Sequence, residues 1–395
     1  MQTKFRRSSA LAILPAAVAL AIGTFSAAAA AADVTLSGAV STGLHYSKAE
    51  GADHGNLKLA GQGELPDDPF IMITANEKLD NGWYTGAQLK SRFYADTGSL
   101  SNSSVLFDAQ ARVFAGNDKF EVSFGRLGGL TVAGLPYSVY AKVNANMCFA
   151  SLGGIAPANI TFQPGDLTNA IGFTTNGDGF FLRGVYSNGS LDKSNKDTEN
   201  TEDWSDRRHV AQIGTGWTGE RFKAGIVYSW EMPGQLQNAN GTRDMRRKAT
   251  HAVHLIASYD FGGPAISGIL YASKNEWRIG PVDDLVKVVG DGRIAASEEG
   301  LDNYALYMSA RYPIGQHVIC GAAGFLKSKW NGAETQTKED EGTLTMAGLM
   351  YYYNFSKRTN FYAATSIMDG KKMLDAKDAT RLNTVMATAG ITHRF

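Results

Sequence analysis

The chain closes on LNTVMATAGITHRF, residues 382–395, and alternates to its final side chain. Val385, Ala387, Ala389, Ile391 and Phe395 share one parity; Thr384, Met386, Thr388, Thr392 and Arg394 share the other. A two-residue period belongs to a strand whose faces meet two different surroundings. Chain ends usually fray, so a strand that uses every residue implies that its end is needed.

The same pattern recurs upstream, mostly in pairs around tight-turn signals. VTLSGAVSTGLHY (34–46) stands first. PFIMITANEK and GWYTGAQLKSRFY flank Asn81-Gly82, and DAQARVFAG and KFEVSFGR flank Asn117-Asp118. NAIGFTT and GFFLRGVYS surround Asn176-Gly177-Asp178, and RRHVAQIGTGW meets RFKAGIVYSW through TGE. ATHAVHLIASYDF and PAISGILYAS meet at Gly262-Gly263, DNYALYMSARY and HVICGAAGFLKSKW at PIGQ, and TLTMAGLMYYYNF and NFYAATSIM at SKRT. With the last segment this predicts an even set of sixteen strands. Short turns alternate with long polar connections such as 188–206, 233–247 and 277–300. That asymmetry predicts an all-β, antiparallel transmembrane barrel, which satisfies its backbone by closing on itself. Beyond the N-terminus no run reaches the ~18 apolar residues of a spanning helix.

The N-terminus supplies the compartment. Lys4, Arg6 and Arg7 precede an apolar run from Ala10 to Phe25 and a string of alanines before Asp33. This is the pattern of a secretory signal peptide, residues 1–32, leaving 33–395 as the barrel. Removing it takes three bases and no acids from a chain of 38 each, a balance that does not suit a nucleic-acid partner. Two cysteines, Cys148 and Cys320, form no disulfide framework and are expected to stay unbridged. Glycine is common, 44 residues against 10 prolines, which suits strands with close backbone approaches. Trp83, Trp217, Trp230, Tyr259, Tyr312, Trp330 and Phe355 fall at strand ends, where interface girdles belong.

Four stretches carry a family likeness. YNFSKRTNFYAA (353–364) resembles the Y-x-L-S-K-R-T-x-x-Y hairpin of the general Gram-negative porins, and GITHRF resembles their ending. ADVTLSGAVSTGLHY is similar to their first strand, and FDAQARVFAGNDKFEVSFGR (107–126) to the hairpin before their pore loop. The resemblance implies a homotrimer of sixteen-stranded barrels in the outer membrane, each with its own channel narrowed by an inward-folded third loop. It also implies that Phe395 is part of the assembly signal read by barrel-assembly machinery. Outer-membrane lipid and lipopolysaccharide would surround it, and small hydrophilic solutes would cross.

Independently of that likeness, a sixteen-stranded barrel is too wide for its side chains to fill, so one parity should face water. Gln88, Lys90 and Arg92 share a face, as do Asp108, Gln110 and Arg112, and Arg221 and Lys223. Arg126 shares parity with Phe120, Val122 and Phe124, so a bulge or the strand's end must turn it inward. The long connection 128–168 is too apolar for disorder, with Leu135, Tyr137, Val139, Tyr140, Phe149, Leu152 and Ile155, and is expected to fold inside. Its only charges are Lys142 and Asp166, where family pore loops carry an acidic cluster. The candidate constriction is Lys90, Arg92, Asp108, Arg112 and Arg126, with Arg183 a further wall candidate, facing Tyr137, Tyr140, Lys142 and Asp166, with Asn144 and Asn146 beside them. So bare a loop predicts weak ion selectivity.

The function that follows is passive diffusion, with an adhesin or structural barrel of blocked lumen as the alternative. No nucleophile elbow, phosphate loop or Ser/His set points to an enzyme, and no cofactor is expected. His251 and His254 stand three apart on a strand, hence on opposite faces, and are not read as a metal pair. Glu199, Glu202, Asp203 and Asp206 read as a solvated loop. Gly38, Gly225 and Gly268 are expected on the outer face, and Cys320 toward lipid or a neighbouring subunit.

Overall fold

The computed structural model describes residues 33–145, 155–189, 208–232, 247–279, 286–289, 297–332, 339–375 and 382–395. The leader, Asn146, Cys148, Phe149, Leu152 and the acidic stretch Glu199–Asp206 lie outside the described residues.

One antiparallel sheet contains all the strands. They are β1 (Asp33–Ala49), β2 (Asn56–Ala60), β3 (Phe70–Lys78), β4 (Tyr84–Arg92), β5 (Gln110–Gly116) and β6 (Phe120–Gly128). Next come β7 (Asp166–Asn176), β8 (Phe180–Asn188), β9 (His209–Thr218), β10 (Phe222–Met232), β11 (Thr250–Asp260) and β12 (Ala265–Glu276). The last are β13 (Leu301–Ile314), β14 (His317–Trp330), β15 (Glu341–Asn354), β16 (Thr359–Lys372) and β17 (Thr384–Arg394). The segments make sixteen staves because β2 and β3 share one. β3 pairs with Asp33–Ala39 of β1 and β2 with Gly43–Ser47, on the same edge. β2 was not expected from the sequence, since its five residues are too short to show a period.

Closure comes from β17 against β1, in register from Ala39↔Arg394 to Ala49↔Thr384. The terminal residue takes part: Gly38 and Phe395 exchange both backbone hydrogen bonds at 3.1 Å. Phe395 lays its ring over Gly38, where an added Cβ would fall 2.5 Å from ring Cζ. Gly38→Val therefore dislodges the terminal ring at the seam. We expect a loss of roughly 1–3 kcal/mol, as for overpacking elsewhere, read as earlier loss of the folded band on a heated gel. An unchanged melting profile would show that the ring is dispensable to the seam.

Outward-facing Val34, Leu36, Ile73, Val113, Ile213, Leu255, Leu270, Leu306, Ile319, Leu349 and Ile391 form an exposed apolar band around the barrel. Water would not tolerate a patch of that extent, whereas lipid removes its cost of about 25 cal/mol per Å². At the short-turn end the band meets exposed rings: Trp83, Phe120, Phe180, Trp217, Phe261, Tyr312 and Phe355. The turns use the signals read from sequence; at Asn81-Gly82 both residues take positive φ, 64° and 77°. Trp330 departs from the predicted girdle: it points inward, buried, edge-on to Trp277 at 6.0 Å.

The inner face divides into two halves. From β11 to β16 it carries buried Ile256, Ile269, Tyr271, Tyr307, Leu326, Leu344, Met346 and Met368, so the polar inward parity expected throughout does not hold there. Cys320 shares this face, fully buried beside Val318, Met350 and Ile155, rather than facing lipid. It is disulfide-bonded, which overturns the expectation that it stays unbridged. Tertiary packing decided both points, because β14 is apolar on both parities and offers no contrast to read.

Candidate functional site

The connection from β6 to β7 explains the apolar half of the wall. Its described part crosses the lumen and packs Leu130, Tyr137, Val139, Tyr140, Val143, Ile160 and Phe162 against the far strands. Polar latches fix the crossing. Tyr140 Oη lies 2.7 Å from His254 Nδ1 on β11, Ser258 Oγ donates to the Val143 carbonyl at 2.5 Å, and Ser267 Oγ to the Ala145 carbonyl at 2.7 Å. His254 is buried and His251 exposed, on opposite faces as their spacing requires.

Wall glycines make room for the loop. A Cβ at Gly172 would lie 2.6 Å from Tyr137, one at Gly214 2.9 Å from Val139, and one at Gly324 2.7 Å from Ile160. Gly225 belongs to this set, 3.1 Å from Val139, and so faces inward rather than outward as expected. In the loop, Val139–Lys142 form one helical turn capped by Ser138 Oγ, which accepts from the Ala141 N–H at 3.1 Å.

The other half of the lumen, β3 to β10, is charged and forms two clusters. At the open-loop end Arg92 is held by Asp108, whose Oδ1 accepts from the Arg92 backbone N–H at 2.7 Å and Oδ2 from Nε at 2.9 Å. The same guanidinium donates to Asp166, where the loop rejoins β7. Arg126 Nε donates to the Asp108 carbonyl at 2.5 Å, and its Nη2 stands 3.9 Å from Asp166. The expected turn of Arg126 toward this group coincides with a bulge: between Gly125↔Ala170 and Leu127↔Leu167 one residue faces two, and Gly125 takes φ 123°. Across the opening, Arg208 and Arg278 both bind the buried Glu231, at 2.5 and 2.9 Å. Arg92, Arg126, Arg208, Arg278, Asp108 and Asp166 line a polar cavity of about 570 Å³ with Ser101–Ser103 and Pro164. Arg208, Arg278 and Glu231 were not singled out in the sequence, since nothing there shows that the residues before β9, after β12 and on β10 share an opening. Lys90 lies next to this cluster, its ammonium 4.3 Å over the Phe70 ring.

Toward the turns, Glu121 gathers the second cluster. Its Oε1 accepts from Arg112 at 2.8 Å and Tyr137 at 2.9 Å, and its Oε2 from Tyr84 at 2.9 Å. Arg112 lies over the Phe114 ring at 4.4 Å and also donates to Ser123 and Gln88. Tyr137 and Tyr140 are buried in the seam between loop and wall, 2% and 0% exposed, so neither ring presents itself to open water as the sequence suggested. Burial raises both phenols well above their ordinary range. Asn144 is exposed at φ 57°. Lys142 reaches Asn176 Oδ1 at 3.4 Å; burial lowers its ammonium, and so do the like charges of Arg183 and Lys223. The nine residues predicted for the constriction thus fall into an outer group of Lys90, Arg92, Asp108, Arg126 and Asp166, and an inner group of Arg112, Tyr137, Tyr140 and Lys142.

A closed barrel with a lipid-facing band, a lumen crossed by its own loop and a charged passage beside it defines an outer-membrane channel. The chain belongs to the Gram-negative porin family, whose model matches residues 16–372. An outer membrane porin protein of Bordetella pertussis is 23% identical over 96% of this chain and 98% of its own. Among solved structures, the anion-selective porin from Comamonas acidovorans shares the fold with TM-score 0.64 at 20% identity, over 92% of this chain and all of that one. OmpT of Vibrio cholerae matches with TM-score 0.60 at 13% identity, over 93% of this chain and 99% of its own.

Proposed function

We propose that this outer-membrane porin passes small hydrophilic solutes passively and prefers anions, with no covalent step. The observation that carries the preference is charge balance in the charged half of the lumen. Four guanidiniums meet three carboxylates at the outer cluster, and further in, Lys142, Arg183 and Lys223 have no ion-pair partner among the described residues. A narrow, low-dielectric passage with excess positive charge concentrates anions and repels cations. The weak selectivity expected from a bare loop is replaced in this reading, because the wall rather than the loop carries the charge. The Comamonas acidovorans porin, which shares the fold, is itself anion-selective.

Homotrimer formation, removal of residues 1–32, contact with lipopolysaccharide and recognition of Phe395 by barrel-assembly machinery complete the proposal. The loop's broad apolar seam is the one observation favouring the blocked-lumen alternative, and the polar cavity beside it favours an open passage.

Neutralising an acid tests the charge balance. Asp108→Asn removes the carboxylate that holds Arg92 and leaves the four guanidiniums with two acids. The chloride-to-potassium permeability ratio from reversal potentials should rise by a few fold. An unchanged ratio would show that Asp108 stands outside the ion path, and a fall would contradict the charge balance.

A further inference from the structure

Lys142, Arg183 and Lys223 approach one another from three elements, the inner loop, β8 and β10. The Arg183 guanidinium donates to the Ser138 carbonyl at 2.5 Å, at the start of the helical turn that carries Lys142. Lys223 is paired with Ser258, and that serine's hydroxyl holds the carbonyl of Val143, the residue after Lys142. Lys142 also reaches Asn176, the last residue of β7, so the group sits at the turn end of the lumen. Between Arg183 and Lys223 the wall is β9, where inward Gly214 and Gly216 let Val139 of the loop and the Phe181 ring pack close.

Acids do not neutralise this group. Glu121 is occupied by Arg112, Tyr84 and Tyr137. Asp260, the acid that interacts with Lys223, caps the Gly262–Gly263 turn through N–H groups at 2.8 and 3.0 Å. No carboxylate among the described residues lies within ion-pair distance of the three cations. Arg183, itself 9% exposed, keeps a buried Nε with no hydrogen-bond partner. Partly desolvated like charges held together cost stability unless something between them supplies negative charge.

We propose that Lys142, Arg183 and Lys223, with Asn176 positioning Lys142, form a binding subsite for a small oxyanion of the phosphate class. Donors arriving from three directions suit an anion with several oxygens, each able to accept a charge-assisted hydrogen bond. A monatomic halide bridges fewer of them, so the subsite separates oxyanions from chloride inside a channel open to both. It rests on the anion preference proposed above and deepens it, giving that preference a ligand class and a location.

Calorimetric titration of the folded, detergent-solubilised full-length protein with sodium phosphate tests it directly. The expected result is saturable one-site binding, weakened by roughly tenfold or more in Lys142→Gln/Lys223→Gln, since one charge-assisted bond is worth about that factor. Lys329→Gln, on the outer face, should bind phosphate as the parent does, and gel mobility before heating establishes that each variant is folded. Absence of saturable binding, equal affinity in the double variant, or equal weakening by Lys329→Gln would overturn the subsite. Because binding in detergent needs no current, chloride-selective conduction without phosphate binding removes the subsite alone. Phosphate binding by a barrel that passes no ions removes the channel reading and leaves the subsite standing.

Discussion

Excision of residues 131–162, replaced by a short glycine-serine linker, should raise single-channel conductance several-fold and reduce ion preference. The described part of the segment packs against the apolar half of the lumen, and without it a sixteen-stranded barrel encloses a wide water-filled bore. The excision also bares Ile256, Tyr307, Leu326 and Met346, which are now covered by the loop. The widened channel should therefore melt earlier than the parent, at about 25 cal/mol for each Å² of apolar wall returned to water. Conductance unchanged from the parent would show that the crossing segment does not limit flow. The wall glycines give the same idea a gentler form. A side chain at Gly214 or Gly324 meets Val139 or Ile160, so substitution there lifts the loop without deleting it.

Glu231→Ala should be the most destabilising single substitution in the passage. This buried carboxylate binds Arg208 through both oxygens, at 2.5 and 2.8 Å, and Arg278 at 3.0 and 2.9 Å. Its removal leaves two guanidiniums facing each other with no shared anion. Breaking a buried pair by deleting one partner costs about 3–5 kcal/mol. The loss is read from the unfolding midpoint in denaturant, and Glu231→Gln, which retains the side chain's shape and an acceptor oxygen, should lose less. Equal midpoints for parent and Glu231→Ala would mean that solvent already screens the two arginines.

Much of the barrel was legible because a strand between lipid and water must alternate, and its tight turns need residues that tolerate positive φ. The sixteen staves, the closing role of the last strand and the inward turn of Arg126 all follow from that rule. What alternation does not tell is which surroundings each face meets. On β14 both parities are apolar, one against lipid and one against the loop, so the inward direction of Cys320 and Trp330 left no mark in the sequence. Gly225 was misplaced for the same reason, since a glycine carries no polarity to mark its face. The outer charge cluster was half visible. Arg92, Asp108, Arg126 and Asp166 lie near the hairpin and the loop that follows it, while Arg208 before β9, Glu231 on β10 and Arg278 after β12 are brought round by closure. No spacing in a linear sequence encodes that meeting.

Single-channel recording of the purified protein in a planar bilayer, with the reversal potential measured across a salt gradient, tests the central claim most directly. Stepwise currents in groups of three, with a reversal potential of anion-preferring sign, are the predicted result. A cation-preferring reversal potential would contradict the charge balance drawn from Arg92, Arg126, Arg208 and Arg278. Silence from correctly folded barrels would contradict the open passage itself.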